Sequence, residues 1–314
     1  MTTVGNSQLK YTTKPIIGLV YRGETPAAFN LGKTLAHWLK DRDCEVWTAP
    51  QQKKLPGTRV ATMASMEKFG LIVALGGDGT YLRAVRLLNG LRTPILGINL
   101  GSLGFLTPTR ADEAFTAVES ALEGRMDLAP RAMLEVELGG AKTSATRKAS
   151  GRKATAKTRP TLVLNDLVVE RGPLSQLITV AIRWDGQLVS EVKADGLIVA
   201  SPTGSTAYNL AAGGPLMHPD VHGFLVTPIA PHSLTSRPLL VPDRGELSLQ
   251  LVGKLQGPNS PKAYVIADGQ QVSELRIGEE LKIRRSHYNH FMVQSPGFSY
   301  FQLLRDKLKF GDRD

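Results

Sequence analysis

The segment Leu71-Ile-Val-Ala-Leu-Gly-Gly-Asp-Gly-Thr80 contains the strongest fold signal in the first part of this 314-residue chain. Its consecutive apolar residues predict a strand that is buried on both faces, as in a parallel sheet. The glycines that follow permit a tight turn and leave backbone amides free to face phosphates. Asp78 is the ionisable side chain of this turn. A carboxylate beside phosphates is unfavourable unless it takes up a proton or holds a metal, so Asp78 indicates chemistry.

Strand and helix patterns alternate on either side of this stretch. The strand patterns lie at residues 15–21, 45–49 and 94–99, and the helical patterns lie at 27–39, 80–91 and 112–124. Such alternation predicts an α/β fold with a doubly wound parallel sheet, because each strand needs a crossover helix to reach a parallel neighbour. We assign this fold to an N-terminal domain of residues 1–127.

The pattern changes after residue 128. Short strand patterns separated by Gly, Pro and Asp turns predict a second, mainly β domain of residues 128–297. These patterns lie at 133–138, 161–165, 177–184, 186–192, 196–200, 239–241, 246–252, 264–266 and 281–284. A helical pattern at 300–308 is expected to return to the first domain, so that residues 298–314 complete it.

The net charge of +10 is concentrated in residues 141–160, a segment that contains neither an acidic nor an aromatic residue. Its basic residues are Lys142, Arg147, Lys148, Arg152, Lys153, Lys157 and Arg159. Without aromatic rings the segment lacks the surfaces on which bases stack, so we do not expect nucleic-acid binding. We interpret it as a basic loop exposed to solvent, with capture of an anionic ligand or partner as the alternative.

Composition indicates a cytoplasmic protein. The single cysteine, Cys44, provides no internal disulfide framework and fits a reducing compartment. No apolar run approaches the roughly 20 residues that a membrane helix needs. The N-terminal residues lack the charged start and apolar core of a secretory signal. We therefore expect neither membrane insertion nor secretion.

Two glycine segments accompany predicted strands of the first domain. Residues 76–80 contain Asp78, and Gly97-Ile-Asn-Leu-Gly-Ser-Leu-Gly-Phe-Leu-Thr107 continues from the next strand. Loops at the carboxyl ends of parallel strands can share one ligand crevice. The alternative interpretation is that these glycines only permit a turn and close packing.

The second domain carries two further polar segments. A predicted strand leads into Ser201-Pro-Thr-Gly-Ser-Thr-Ala-Tyr208, where a helix is expected to begin near Thr206. Hydroxyls and free amides at a helix start suit phosphate or ribose, and Tyr208 can stack on a base. Asn165-Asp166 ends a predicted strand, and paired acceptors of this kind can hold vicinal ribose hydroxyls. A simple turn is the alternative interpretation of that pair.

At these four segments the sequence resembles the NAD kinase family. That family shows Gly-Gly-Asp-Gly-Thr, then Gly-Ile-Asn-x-Gly-x-Leu-Gly-Phe-Leu, then Asn-Glu, and then Asp-Gly followed by Thr-Pro-Thr-Gly-Ser-Thr-Ala-Tyr. Further similar pieces are Pro228-Ile-Ala-Pro-His-Ser-Leu234, Arg237-Pro238, Asp268-Gly-Gln270 and Leu304-Arg-Asp-Lys-Leu308. The sequence departs from the pattern at Asp166, where the family has Glu, and at Ser201, where it has Thr. The basic segment has no clear counterpart.

The resemblance implies transfer of the γ-phosphoryl group of ATP to the 2′-hydroxyl of the adenosine ribose of NAD. It assigns to Asp78 the role of the base that takes the proton of that hydroxyl. A divalent cation, expected to be Mg²⁺, would arrive with ATP, and inorganic polyphosphate is an alternative donor. Family members are homo-oligomers, so we expect a dimer or tetramer in which a neighbouring subunit completes the nucleotide site.

The resemblance also carries over a set of NAD contacts. They are Gly79, Arg83, Asn165, Asp166, Gln176, Lys193, Asp195, Thr203, Thr206, Ala207, Tyr208, Asn209, Leu210, Ala211 and Gln270. Within this set Tyr208 would stack on a base, and Asp166 would hold ribose hydroxyls. Arg83 and Lys193 would offset phosphate charge, and Asp195 is a contact that the neighbouring subunit is expected to supply.

Two other functions share parts of this pattern. Lipid kinases of the diacylglycerol or sphingoid type also carry the glycine turn with its aspartate. A lipid-kinase function would, however, give no role to residues 203–215. A non-catalytic NAD-binding regulator would keep the nucleotide contacts, but it gains nothing from an acid beside phosphates.

Overall fold

The computed structural model describes residues 7–9, 11, 13–139, 160–172, 176–254 and 262–309. The predicted basic loop at 141–160 lies outside the described residues, apart from Pro160. The chain divides into two compact units. The first comprises Met1–Arg131 with Tyr288–Asp314, and the second comprises Ala132–His287.

The helices and strands are numbered in chain order. The strands are β1 (Ser7–Gln8), β2 (Ile16–Tyr21), β3 (Val46–Thr48), β4 (Arg59–Val60), β5 (Phe69–Gly76), β6 (Ile95–Asn99), β7 (Thr109–Arg110), β8 (Asp127–Gly139), β9 (Thr161–Val163), β10 (Asp166–Arg171), β11 (Ile178–Trp184), β12 (Gln187–Ala194), β13 (Gly196–Ala200), β14 (Phe224–Ile229), β15 (Leu239–Val241), β16 (Leu247–Val252), β17 (Lys262–Ala267), β18 (Gln270–Arg276) and β19 (Glu280–Gln294). The helices are α1 (Pro26–Lys40), α2 (Asp78–Leu88), α3 (Ala114–Leu122), α4 (Tyr208–Ala211) and α5 (Tyr300–Leu308).

The first unit is built on a parallel sheet in the order β19-β6-β5-β2-β3-β4. Side chains alternate across a strand, so Leu71, Val73 and Leu75 of β5 join one core cluster with α1 and α3. Helix α2 also packs against β5, and its Tyr81 and Ala84 are buried. The predicted doubly wound α/β fold is confirmed.

Helix α2 differs in its limits from the predicted 80–91. It begins two residues earlier, at Asp78, and it ends at Leu88 because Asn89 adopts a left-handed conformation with φ of 43°. A short polar side chain and the glycine that follows tolerate this conformation, which ends helices. The predicted helix at 112–124 begins as a 3-10 turn, Ala111–Glu113, and continues as α3.

The second unit contains two antiparallel sheets. One joins β12-β11-β16 to the Glu280–Ile283 part of β19, and the other has the order β15-β14-β13-β10-β17-β18. Strands β8 and β9, which flank the basic loop in sequence, pair with each other. One core cluster takes side chains from both sheets, including Ile182, Val199 and Val265, as in a β-sandwich. The predicted mainly β character is confirmed.

The helix expected near Thr206 is present as the single turn α4, which begins at Tyr208 after a 3-10 turn, Thr203–Thr206. It is short because Gly213, with φ of 82°, reverses the chain. One local expectation in the second unit was wrong. The pair Asn165-Asp166 does not end a strand: β9 stops at Val163, and Asp166 begins β10.

The C-terminal helical pattern was predicted residue for residue, since α5 spans Tyr300–Leu308 and belongs to the first unit. Within the part of the chain that the structure describes, every helix is too short or too polar to cross a membrane.

Candidate active site

Asp78 stands at the start of α2, directly after the β5 strand and its glycine turn. Gly77 is the N-cap residue, and Asp78 is the acidic residue of the first helical turn. A negative charge there is favourable because the amides of the helix start are exposed and the helix dipole is positive. The turn requires a glycine at position 76, where a Cβ atom would lie 2.3 Å from the Thr80 hydroxyl oxygen.

Four hydrogen bonds hold the Asp78 carboxylate, and all come from the second glycine segment. Oδ1 accepts the amides of Leu106 at 3.0 Å and Thr107 at 3.1 Å, together with the Thr107 hydroxyl at 2.9 Å. Oδ2 accepts the Phe105 amide at 2.9 Å. The two segments that the sequence predicted to share one crevice are therefore joined through this carboxylate.

Asn99 and Gly104 support this arrangement. The Asn99 side-chain amide donates to the Thr107 hydroxyl oxygen at 3.0 Å, so the hydroxyl proton is directed towards Asp78. A Cβ atom at Gly104 would lie 2.1 Å from Asp78 Oδ1 and 2.3 Å from Thr107 Oγ1. Glycine at position 104 is therefore needed for the close approach of the carboxylate.

The remaining predicted contacts of the first unit are Gly79 and Arg83. Gly79 is exposed, and a Cβ atom there would meet nothing within 4 Å. The guanidinium of Arg83 donates to the carbonyls of Pro50 at 3.2 Å and Gln51 at 3.0 Å. Arg83 is thus directed towards the loop after β3, where its charge is partly buried.

The donors around Asp78 form what we call the first clamp. A second clamp, in which backbone amides hold the carboxylate of Asp268, lies in the second unit. Asp268 accepts the backbone amides of Leu164 at 2.9 Å, Asn165 at 2.7 Å and Asp166 at 3.3 Å. Asp268 and Gly269 connect β17 to β18, and both have positive φ, at 46° and 74°. A two-residue hairpin turn of this kind favours Asp-Gly. The turn thereby brings a buried carboxylate to the two residues that link β9 to β10 and to the first residue of β10.

Two buried polar atoms, one on a clamped residue and one on a neighbouring loop, have no hydrogen-bond partner among the described residues. These atoms are the Asn165 side-chain oxygen and the Thr203 hydroxyl oxygen. The loop of Thr203 is tightly seated, because a Cβ atom at Gly204 would lie 2.0 Å from the Asn165 carbonyl oxygen. Buried polar atoms without partners are costly, so they point to a ligand that supplies the missing hydrogen bonds.

Asp166 is buried, and its electrostatic surroundings are unfavourable to charge. Burial and, secondly, the neighbouring Asp268 carboxylate raise the pKa of Asp166 to about 7, against a hydrogen bond from the Tyr208 backbone amide that lowers it. The Tyr208 amide also ties α4 to Asp166, while part of the Tyr208 ring remains exposed. The structure thus brings Asn165, Asp166, Thr203 and Tyr208 together.

Asn209 has a different environment from its exposed neighbour Tyr208. Its side chain is fully buried, and its amide donates to the carbonyls of Ser205 and Pro215 while its oxygen accepts the Thr227 hydroxyl. This internal network shapes the loop around α4. The other predicted contacts of this loop are Thr206, Ala207, Leu210 and Ala211, which are half-buried or exposed.

Four predicted contacts lie on other elements of the second unit. Gln176 is exposed just before β11, Lys193 is exposed on β12, and Gln270 is exposed at the start of β18. Asp195, between β12 and β13, forms an ion pair with Arg171 of β10. These four side chains take no part in the contacts described above for Asn165, Asp166, Thr203 and Tyr208.

Among the described residues, no group of three or more His, Cys, Asp or Glu side chains is arranged to hold a metal ion. The carboxylate oxygens of Asp78 already face four protein donors, a set that suits a fixed anion rather than a resident cation.

Sequence reasoning gave no role to Thr107, Asp268 or Lys307, although all three lie in segments that it singled out. The Asp-Gly pair before an alternating strand marks a hairpin turn, so the position of Asp268 had a readable signal. The hydrogen bonds from Thr107 to Asp78, from Leu164 to Asp268 and from Lys307 to Leu103 span 29, 104 and 204 residues of sequence, and no local pattern contains such pairings.

Comparison with known families decides the classification. The N-terminal domain of ATP-NAD kinase matches residues 17–126, and the C-terminal domain of ATP-NAD kinase matches residues 164–295. The chain belongs to the NAD kinase family. The NAD kinase of Bdellovibrio bacteriovorus is 54% identical over 299 residues, which cover 95% of this chain and 93% of that protein. The NAD kinase of Geotalea daltonii is 36% identical over 301 residues, covering 95% and 99%.

Solved structures of the NAD kinase family share the fold. An NAD kinase from Archaeoglobus fulgidus in complex with ATP is 26% identical, with a TM-score of 0.68, and the match covers 92% of this chain and 98% of that one. Yeast NADH kinase complexed with NADH is 24% identical, with a TM-score of 0.83 and coverage of 98% and 94%. The resemblance inferred from the four sequence segments is thereby confirmed.

Proposed function

We propose that this enzyme transfers the γ-phosphoryl group of ATP to the 2′-hydroxyl of the adenosine ribose of NAD, giving NADP and ADP. Membership of the NAD kinase family supports the reaction, and the observation that carries the mechanism is the clamped carboxylate of Asp78. The Archaeoglobus relative binds ATP, which supports ATP as the donor here.

Asp78 is the candidate base. Among the described residues, Oδ1 accepts three hydrogen bonds, whereas Oδ2 accepts only that of Phe105. Oδ2 therefore retains the capacity to accept a hydrogen bond from a ribose hydroxyl. As the 2′-oxygen bonds to the γ-phosphorus and the bond to the leaving ADP breaks, the hydroxyl proton passes to Oδ2. The clamp keeps the carboxylate from rotating, which favours catalysis through orientation.

The second unit supplies the candidate NAD contacts. Asn165 Oδ1 and Thr203 Oγ1 offer acceptors that lack partners within the described residues, and Asp166 offers a carboxylate for ribose hydroxyls. The exposed part of the Tyr208 ring offers a stacking surface. The other carried-over contacts, which are Gly79, Arg83, Gln176, Lys193, Asp195, Thr206, Ala207, Asn209, Leu210, Ala211 and Gln270, remain part of the proposal.

The divalent cation, which we expect to be Mg²⁺, belongs to the ATP substrate in this proposal. When bound, it neutralises charge on the transferred and leaving phosphates. The chain itself contributes the amides around Gly77 and the start of α2, where phosphates are favoured.

We also propose a homo-oligomer in the cytoplasm. Strands β12 and β15 are the edges of the two sheets of the second unit, and they carry the exposed residues Leu188 and Leu240. Leu234, in the loop between β14 and β15, is 93% exposed. Edge strands with apolar side chains are surfaces at which a second copy can pair.

The test is NADP formation from NAD and Mg-ATP by a cycling assay, for the wild type and Asp78→Asn in parallel. We expect a robust wild-type rate and a loss of more than about 10²-fold in kcat for the variant, with NAD binding retained. A variant that keeps its rate would remove Asp78 from the mechanism. A folded wild type that makes no NADP with ATP or polyphosphate would refute the proposed reaction and favour a lipid kinase or a binding protein.

A further inference from the structure

The C-terminal helix α5 contains the segment Leu304-Arg-Asp-Lys-Leu308, to which the proposed reaction gives no role. Leu303 and Leu304 are buried and anchor the helix in the first unit. Ser299 caps the helix by accepting the Gln302 amide at 3.2 Å. The helix thus has a fixed position from which its polar side chains can reach neighbouring loops.

The Lys307 ammonium group makes two contacts with the second glycine segment, residues 97–107: a hydrogen bond and a cation–π contact. Its ammonium group donates to the Leu103 carbonyl, and it lies 5.6 Å from the centre of the Phe105 ring. A cation over an aromatic face is attracted by the ring, and the attraction is stronger where water is partly excluded. Lys307 is half-buried. One side chain therefore holds the segment at two points on either side of Gly104.

Those two points lie next to the clamp on Asp78. Phe105 donates its amide to Asp78 Oδ2, and Leu106 and Thr107 donate to Oδ1. The segment and α5 also line a cavity of about 890 Å³. The cavity is lined by Leu103 but not by residues 105–107, of which Leu106 and Thr107 are buried. Lys307 therefore contacts the segment where it passes from the cavity wall to the clamp.

We propose that Lys307 is a positioning residue, which sets the orientation of the Asp78 carboxylate through the Leu103 carbonyl and the Phe105 ring. This inference rests on the proposed function of Asp78. It predicts a defect in the chemical step rather than in substrate binding, because a small displacement of a catalytic group lowers the rate while ligand contacts elsewhere persist.

The test compares Lys307→Met, which keeps the length of the side chain and removes the charge, with Lys307→Arg. We expect Lys307→Met to lower kcat about 10-fold with KM for NAD within about twofold of the wild type, and Lys307→Arg to restore most of kcat. The matched control is Arg305→Met, because Arg305 lies on the same helix but bonds to Gln302. It should leave kcat within about twofold.

Two further measurements separate positioning from folding. Amide hydrogen exchange of Phe105, Leu106 and Thr107 should become faster in Lys307→Met, while the unfolding midpoint shows whether the chain remains folded. The kcat losses of Lys307→Met and Thr107→Val should be less than additive in the double variant, because both act on one clamp.

A Lys307→Met variant with wild-type kcat and unchanged exchange would overturn the inference. So would a loss that Arg305→Met shares and Lys307→Arg fails to restore, since that pattern reports helix packing alone. If the wild type makes no NADP, the proposed function fails, and the exchange of the three amides still decides whether Lys307 holds the segment.

Discussion

Both units of the molecule hold a carboxylate against three successive backbone amides, but they use this arrangement differently. In the first unit the amides of residues 105–107 hold Asp78. In the second unit the amides of residues 164–166 hold Asp268. Asp78 is half-buried and has the Thr107 hydroxyl as a fourth donor, whereas Asp268 is buried beside a second carboxyl group, Asp166.

The difference lies in where unused hydrogen-bonding capacity remains. At the first clamp it is on the carboxylate itself, because Asp78 Oδ2 has a single donor in the part of the chain that the structure describes. At the second clamp it is on the clamped segment and its neighbour, where the oxygens of the Asn165 and Thr203 side chains lack partners within the described residues. We propose that the first clamp fixes the base of the reaction, and that the second fixes a loop whose side chains bind substrate.

Gly104→Ala should break the first clamp and give the largest effect. The new Cβ atom would lie 2.1 Å from Asp78 Oδ1, so the carboxylate or the loop must move. We expect kcat to fall by about 10²-fold, because catalysis depends on the orientation of the base. Steady-state kinetics with NAD and ATP provide the measurement.

Gly101→Ala is the matched control for this variant. It lies in the same segment, where the nearest side-chain atom to a new Cβ is Asn99 Oδ1 at 3.8 Å, an ordinary contact. We expect its kcat to stay near that of the wild type. Equal losses in both alanine variants would mean that the segment, rather than the contact with Asp78, limits the rate.

Asp268→Asn should damage the second clamp with a smaller effect on a different parameter. The side-chain nitrogen of asparagine cannot accept a hydrogen bond. At least one buried backbone N–H group therefore loses its acceptor, at a cost of about 1–3 kcal/mol in stability. We expect KM for NAD to rise about 10-fold while kcat at saturation changes less than about threefold. Kinetics and a denaturant titration measure the two effects.

Asp185→Asn is the control for this change. Asp185 and Gly186 also form a two-residue hairpin turn with positive φ, and Asp185 accepts the Glu246 amide at 2.7 Å on an exposed surface. The same substitution there should leave KM for NAD unchanged. If Asp185→Asn and Asp268→Asn raise KM equally, the clamp has no specific part in binding.

The pH dependence of NAD binding should also distinguish the two clamps. We expect this change in Kd to be smaller than the effects of the variants above. Burial and Asp268 raise the pKa of Asp166 to about 7, so this carboxyl changes from mostly protonated at pH 6 to mostly ionised at pH 8. The ionised form is the stronger acceptor. We expect Kd for NAD to fall by up to about tenfold from pH 6 to pH 8, and Asp166→Asn to flatten this dependence. Calorimetric titration measures both.

The stability of the unliganded protein should respond to Asp166 with the opposite sign. A carboxyl whose pKa is raised on folding binds more protons in the folded state between its unfolded value of 3.8 and its folded value of about 7. Its contribution to the free energy of unfolding therefore declines as pH rises through that window.

An unchanged Kd for NAD across pH 6 to 8 would contradict the role of Asp166 in binding.

Local patterns predicted the elements that position the site. The apolar run of β5 and its glycines placed Asp78 just after the strand, although it begins α2 instead of lying in the turn, and the helical spacing of Phe301, Leu304 and Leu308 predicted α5. Both signals are periodicities within a few turns or residues, which a single sequence contains. The helix expected near Thr206 begins at Tyr208 and lasts a single turn, because Gly213 then reverses the chain.

Local sequence patterns could not predict the two clamps. Asp78 takes its donors from 27 to 29 residues downstream, and Asp268 takes its donors from more than 100 residues upstream. Neither the spacing of apolar residues nor turn chemistry reports which loop a carboxylate meets. The sequence therefore predicted where the polar segments lie, and the structure was needed to show which carboxylate each segment holds.

The most informative experiment measures the single-turnover rate and Kd for NAD in Asp78→Asn and Asp268→Asn under identical conditions. We expect opposite outcomes. Asp78→Asn should lose the rate and keep Kd near the wild-type value, and Asp268→Asn should raise Kd and keep most of the rate at saturating NAD. If both variants lose the same quantity, the two clamps do not have separate roles in chemistry and binding.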